Sequence, residues 1–180
     1  MEAVKHAVDK SGWERGPWDD EPDQESFTTN EGLHASIVRP AWSGNLCGYV
    51  GVPASHPWHG KEYGALVKMT EKQASTPIDP DRISIISVLA MAMSENEPDE
   101  EARIDCVIRV HGGLTYSGAG RKVFGEDSAL WYFGFDCAHG GDKSPAYSRY
   151  GSSYEGTYRD IDYVRNEIAS LSKQLAEVVA

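Results

Sequence analysis

The sequence lacks long apolar runs and any regularly spaced set of cysteines. No segment approaches the roughly 20 consecutive apolar residues of a membrane helix, and the first residues do not resemble a secretory signal. The three cysteines, Cys47, Cys106 and Cys137, are an odd number without a CxxC pair. Neither a disulfide framework nor a cysteine zinc site is therefore indicated. These absences predict a protein without a membrane span that resides in a reducing cytoplasm.

Positive charge is also scarce. The 180 residues include 28 acids but only 17 lysines and arginines, so that the formal net charge is −11. A field of this sign repels nucleic acids and anionic lipids unless the charge is very unevenly distributed. The composition therefore disfavours direct binding of DNA or RNA.

Apolar residues, at 40% of the chain, suffice for one core. Residues 1–31 hold nine acids against three bases and few aliphatic residues, which predicts an acidic N-terminal arm, either mobile or docked. The aromatic residues Trp13, Trp18 and Phe27 favour docking on the chain's own domain, because large aromatic side chains are usually buried. Residues 32–180 are predicted to form that single domain.

Five segments rich in β-branched and aromatic residues predict the strands of one sheet. They are residues 33–39, 46–52, 83–91, 103–111 and 130–136. In the fourth segment Ile104, Cys106, Ile108 and Val110 occupy every second position, the period of a strand with one buried face. The acidic residues 94–102 are expected to form a solvated loop.

Apolar residues recur at steps of three and four near the C-terminus. These residues are Ile161, Val164, Ile168, Leu171, Leu175 and Val178. They predict a helix over about residues 157–178 that covers the sheet, and Thr157 with Asp160 resembles its capping box. Homo-oligomerisation through the same stripe is the alternative. The predicted fold class is α+β, a mainly antiparallel sheet packed against a long C-terminal helix.

Histidines occur in three loop-like segments. His111 ends a predicted strand, and Gly112, Gly113 and Thr115 follow it, so that backbone N–H groups could bind a phosphate or a carbonyl oxygen. The alternative is an ordinary turn in which the imidazole bonds a backbone carbonyl.

A second segment carries Asp136, His139 and Asp142 at intervals of three residues. Two carboxylates and an imidazole could hold one divalent ion or a substrate proton. A turn capped by Asp136 needs no ion, so we predict no cofactor and keep a metal at these three residues as the alternative. A nucleophilic Cys47 or Cys137 near His139 is a further interpretation.

The third segment places His56 and His59 around Trp58. This aromatic could stack on a planar ring while Lys61, Arg39 or Arg121 binds its phosphates; alternatively Trp58 fills the core beneath a surface loop. We expect His111, Thr115, Asp136 and His139 to converge at one sheet edge. The predicted ligand site comprises His111, Gly112, Gly113, Thr115, Asp136, His139, Trp58, His59 and Arg121.

Longer motifs occur in a fixed order along the chain. They are CGYVGVP from Cys47, HGGLT from His111, FGFDCAH from Phe133 and YRDIDYVR from Tyr158. In that order they resemble a family of uncharacterised small proteins of tailed phages and prophages. The resemblance implies an accessory factor, of the counter-defence type, in the cytoplasm of an infected bacterium.

Three functions remain open from the sequence. The first is binding of a small nucleotide-like ligand, with or without its hydrolysis. The second is inhibition of a host defence protein by an acidic surface that includes the N-terminal arm and residues 94–102. The third is a virion or assembly component that associates through its C-terminal helix. Binding without turnover is favoured over hydrolysis because no nucleophile, base and orienting group can be assigned together.

Overall fold

The computed structural model describes residues 3–69, 79, 82–84, 88–89, 101–120, 129–150 and 156–178. They form an α+β fold, as predicted, with one six-stranded sheet and one two-stranded sheet. The strands are β1 Ala3–Lys5, β2 Gln24–Thr28, β3 His34–Val38, β4 Cys47–Val52, β5 Leu66–Lys68, β6 Glu101–Arg103, β7 Tyr116–Ala119 and β8 Trp131–Asp136. The helices are α1 Ile104–Val107 and α2 Ile161–Ala176, with 3-10 turns at Pro17–Asp19 and Pro145–Tyr150.

The main sheet is antiparallel throughout and has the strand order β1-β2-β3-β4-β8-β7. β4 pairs with β3 on one side and with β8 on the other, so that Val50 lies opposite Phe133 and Cys47 opposite Asp136. The predicted strands at residues 33–39, 46–52 and 130–136 are confirmed as β3, β4 and β8. Asp136 is the last residue of β8 and therefore lies where this inner strand ends.

Helix α2 covers one face of this sheet, as predicted. Val164, Ile168, Leu171 and Leu175 are fully buried in one core with residues of β3, β4 and β8. The helix begins after Asp160, whose carboxylate accepts the N–H of Tyr163, rather than at Thr157. Thr157 forms a parallel bridge with Asp142. Among the described residues, no helix has the length and apolarity needed to cross a membrane.

The predicted strand at residues 103–111 is wrong. The chain leaves β6 at Arg103 and makes the single helical turn α1, in which all four residues are buried. The polar position Asp105 is buried because its carboxylate pairs with Arg103, at 2.7 Å. Farther on, the Gln174 side chain bonds both the N–H and the carbonyl of Arg109, each at 2.8 Å. The apolar residues at every second position of this segment are therefore buried without belonging to a paired strand.

The predicted strand at residues 83–91 is described only at Ile83, Ser84, Val88 and Leu89. There the Val88 N–H donates to the Ser84 carbonyl at 3.0 Å, which is the spacing of a helix. The remainder of this segment lies outside the described residues. So does most of the acidic segment 94–102, whose last two residues belong to β6.

The segment interpreted as an acidic arm contributes two strands to the main sheet. β2 pairs with β3 over five residues and β1 pairs with β2. Trp13 and Trp18 are buried in a small second core with Ala146. Arg39, whose side chain is fully buried, pairs with Glu21 at 2.8 Å and Asp23 at 2.9 Å. Apolar burial and internal ion pairs thus hold this segment on the rest of the chain.

Candidate functional site

The candidate site centres on His111, which is buried between the turn after β8 and helix α2. Its Nε2 lies 2.6 Å from Oδ2 of Asp142, and its Nδ1 lies 2.9 Å from the Tyr163 hydroxyl. The His111 backbone N–H donates to Glu167 at 2.9 Å. Both ring nitrogens and the backbone are therefore fixed by residues distant in sequence.

Asp142 is the charged centre of this group. Its Oδ1 accepts from Nε of Arg159 at 2.9 Å, and its Oδ2 accepts the backbone N–H of His139 at 3.0 Å. Burial raises the pKa of the Asp142 carboxyl, but the hydrogen bonds from His111 and Arg159 outweigh burial and hold that pKa below its ordinary value of 3.8. Asp142 is consequently an anion at neutral pH.

His139 lies edge to face against His111, with ring centroids 5.5 Å apart. Its ring occupies the space beside Gly112, where an added Cβ would lie 2.1 Å from Cε1 of His139. Gly112 also has a φ of +63°, which favours glycine. Gly112 therefore fits this position for two separate reasons.

Nδ1 of His139 is buried, and among the described residues it has no hydrogen-bond partner. It lies 3.9 Å from Oδ1 of Asp136 and 3.9 Å from Oδ2 of Asp142, which is too long for a hydrogen bond. The ring as a whole remains 31% exposed, as does the Asp136 side chain. A ligand could reach His139 and Asp136 while His111 and Asp142 lie behind them.

We call His111, Asp136, His139 and Asp142 the histidine site. Three of the four residues predicted to converge, His111, Asp136 and His139, are thus brought together. Thr115 is exposed, and its N–H donates to the Gly134 carbonyl of β8 at 2.9 Å.

Gly113 serves the backbone rather than the histidine site. It has a φ of +85°, and a Cβ there would lie 2.5 Å from the Ser84 nitrogen. Its N–H donates to the Val110 carbonyl at 3.0 Å. That N–H is therefore engaged within the turn rather than free for an anion.

Trp58 and His59 lie far from the histidine site. Trp58 is buried edge to face against Phe133, and His59 bonds the Ala129 carbonyl just before β8. Asp136 ends the same strand, five residues after Trp131, a span of about 17 Å. The two histidine-bearing segments therefore occupy opposite ends of β8, and Arg121 lies outside the described residues.

The sequence did not predict three residues that contact the histidine site, Arg159, Tyr163 and Glu167. Tyr163 and Glu167 are four residues apart on α2 and therefore share one helical face, whereas Arg159 lies just before the N-cap Asp160. Arg159 also lies over the Tyr163 ring, 4.8 Å from its centroid. The polar positions beside the apolar stripe were the available signal, although they do not identify which residues these side chains contact.

Three of these side chains could hold a metal ion. One ligand atom each from His111, His139 and Asp142 lies within 4.8 Å of the other two. Cys47 and Cys137 offer no comparable chemistry, because burial raises the pKa of Cys47 to about 12 and also raises the pKa of Cys137. Both thiols remain protonated, so the interpretation of either as a nucleophile receives no support.

Comparisons of the chain with protein-family models, curated proteins and solved structures found no match.

Proposed function

We propose that the protein binds a small nucleotide-like ligand at the histidine site and acts as an accessory, counter-defence factor in the cytoplasm of a phage-infected bacterium. The observation that carries the binding proposal is the unsatisfied ring nitrogen Nδ1 of His139. This atom is buried and, among the described residues, has no hydrogen-bond partner. Buried polar atoms are nearly always satisfied in folded proteins, so an unsatisfied one beside accessible polar groups favours a ligand.

The accessible groups suit a ligand that combines a polar ring with an anion. Asp136 can accept a hydrogen bond from a ring N–H, and His139 can accept or donate one. Arg159, whose side chain is 30% exposed, supplies a cation for a phosphate. Apart from atoms of the neighbouring residues in the chain, no described atom lies within 4 Å of a Cβ built at Gly140 or Gly141, which leaves room beside these groups.

Binding without turnover fits these contacts better than hydrolysis. A general base needs a nitrogen that can reach the substrate. Both nitrogens of His111 are already within 3 Å of Asp142 and Tyr163. A ligand can reach His139, but among the described residues its Nδ1 has no hydrogen-bond partner that would orient the ring as a base. The buried, protonated thiols of Cys47 and Cys137 do not supply a nucleophile either.

The other two functions receive less support. Acids of the N-terminal segment are engaged internally, as in the pairs of Glu21 and Asp23 with Arg39 and of Glu25 with Arg165. They are therefore less available for steering towards a partner. The apolar stripe of α2 lies against the sheet, so it offers little surface for assembly.

Calorimetric titration with adenosine and guanosine monophosphates and the corresponding cyclic monophosphates tests the proposal. We expect saturable binding by the wild type and at least tenfold weaker binding by H139A, because a hydrogen bond to a charged group contributes about 1.5–3 kcal/mol. H59A is the matched control and should bind as the wild type does. Absence of binding by the wild type, or equal loss in both variants, would contradict the proposal.

A further inference from the structure

We infer that His111, His139 and Asp142 bind one divalent transition-metal ion of the zinc type. The inference concerns the same residues as the proposed function but does not require a nucleotide. It replaces the sequence-based alternative of Asp136, His139 and Asp142, because His111 is brought in from a separate segment. The three ligand atoms, two imidazole nitrogens and one carboxylate oxygen, lie within 4.8 Å of one another.

Two of the three separations between the ligand atoms need only small adjustments to accept an ion. Zinc bonds to nitrogen and oxygen of about 2.1 Å place tetrahedral ligand atoms about 3.4 Å apart. Nε2 of His111 is 2.6 Å from Oδ2 of Asp142, and Nδ1 of His139 is 3.9 Å from the same oxygen. One separation must widen by under about 1 Å and the other must shorten by about half as much.

The unsatisfied nitrogen Nδ1 of His139 also favours a bound cation. If Nδ1 carries a proton, the carboxylates at 3.9 Å are too far to accept it. If Nδ1 carries the lone pair, two carboxylate oxygens face it, and among the described residues no donor does. Neither tautomer is satisfied, whereas a cation bound to Nδ1 would satisfy the lone pair and offset the negative charge of both carboxylates.

The surrounding hydrogen bonds match those of metal ligands. A ligating histidine usually donates its second ring N–H to an oxygen, which fixes the tautomer. With Nε2 of His111 on the metal, Nδ1–H would donate to the Tyr163 hydroxyl oxygen, 2.9 Å away. Arg159 similarly fixes the far oxygen of Asp142. Oδ1 of Asp142 and Nδ1 of His111, the atoms that would not bind the metal, therefore already have the hydrogen-bond partners expected around a metal site.

The ligand types select the class of metal. Two imidazoles with one carboxylate suit zinc and neighbouring first-row divalent ions, whereas magnesium and calcium prefer oxygen ligands throughout. A bound cation would also offset the negative charge of Asp136 and Asp142. It would thereby allow a phosphate to approach the histidine site, a consequence that rests on the proposed function.

Calorimetric titration of tag-free, chelator-treated protein with zinc alone tests the metal site. We expect one equivalent to bind, with heat that depends on the buffer because imidazole ligands release protons. H139A should bind at least a hundredfold more weakly, and H59A should match the wild type. Because the His139 ring is partly accessible, we expect H139A to remain folded. Circular dichroism of the variant checks this expectation. Lack of stoichiometric zinc binding by the wild type, or equal weakening in H59A, would overturn the inference.

Repeating the nucleotide titrations with and without zinc separates the two proposals. Stoichiometric zinc binding without nucleotide binding would support the metal site and refute the proposed function. Nucleotide binding with no zinc bound would refute the metal site and support the proposed function. Nucleotide binding that zinc strengthens and H139A removes would support both.

Discussion

Gly112 shows how one missing side chain shapes the histidine site. Its φ of +63° is costly for other residues, and the space beside its Cα is filled by the His139 ring. We expect G112A to lose at least about 1 kcal/mol of unfolding free energy, which lowers the melting temperature by about 2–4 °C in a domain of this size. It should also weaken zinc binding, because His139 must move.

G140A is the matched control for this substitution. Apart from its two chain neighbours, no described residue has an atom within 4 Å of a Cβ at Gly140. Thermal melts and zinc titrations of both variants make the comparison. Equal stability and equal zinc affinity for G112A and the wild type would show that the His139 ring is not held against Gly112.

Asp142 predicts a defined dependence of stability on pH. Its pKa in the folded protein is depressed below 3.8 by His111 and Arg159, against the opposing effect of burial. A depressed carboxyl pKa contributes stability above the unfolded value, and that contribution is lost as the pH falls through the folded value. The wild type should therefore exceed D142N in unfolding free energy near neutral pH, and the difference should shrink below about pH 4.

Urea denaturation of chelator-treated wild type and D142N, from about pH 3 to about pH 7, measures this difference. Chelation matters because a bound ion would add its own pH dependence. A difference that stays constant across the range would show that the Asp142 carboxylate does not contribute through its charge.

At the scale of elements, the sequence predicts those helices and strands whose apolar residues are also their buried residues. The apolar stripe of α2 and the β-branched residues of β3 and β4 are of this kind. β2 was missed because Glu25 is buried through an ion pair with Arg165, 140 residues away. The prediction of a strand at residues 103–111 was wrong because of another distant partner. The Gln174 side chain of α2 forms hydrogen bonds with the Arg109 backbone in place of a neighbouring strand. Such distant partners leave no periodic signal.

Helix α2 provides the most direct test of the packing. The Ile168 side chain is fully buried and contacts the space beside Gly48 of β4, where an added Cβ would lie 3.1 Å from it. I168D would bury a carboxylate without a partner, so we expect a loss of several kcal/mol and insoluble or unfolded protein. A169D, at the neighbouring exposed position, should stay soluble and melt cooperatively. A soluble, cooperatively melting I168D would contradict this packing.

At the scale of the whole molecule, the histidine site is assembled from separated parts of the chain. The sequence predicts the convergence of His111 with Asp136 and His139 from two strands that end together. Only half of that reasoning holds, because Asp136 ends β8 whereas the described residues immediately before His111 form no strand. The contributions of Tyr163 and Glu167 could not be predicted, because they depend on how α2 crosses the sheet. The exclusion of Trp58 and His59 likewise follows from strand direction, since they lie near the opposite end of β8 from Asp136.

The same organisation changes how an acidic-surface function can be tested. Deletion of residues 1–30 would remove β1, β2, Trp13 and Trp18. It would therefore expose an edge of the sheet and disrupt the second core, besides removing acidic charge. Loss of a biological effect in such a deletion could not be attributed to charge alone. Substitution of exposed acids, such as Asp20, addresses the charge separately.

Arg39 connects the N-terminal segment to the rest of the molecule. Its guanidinium pairs with Glu21 and Asp23 and also donates to the Gly44 carbonyl and the Tyr158 hydroxyl, at 2.8 Å each. Removal of one partner from a buried ion pair typically costs about 3–5 kcal/mol, because the remaining charges stay buried. We expect R39L to lose about that much stability and to melt roughly 10 °C below the wild type.

Thermal denaturation followed by circular dichroism and tryptophan fluorescence measures both the fold and the surroundings of Trp13 and Trp18. R15L is the matched control, since the Arg15 side chain is 93% exposed and pairs only at the surface with Asp19; its melting temperature should equal that of the wild type. If R39L melted within about 2 °C of the wild type, the buried ion pairs would not be what holds the segment in place. A fall in both signals at one lower temperature would instead show that the N-terminal segment and the domain unfold as one cooperative unit.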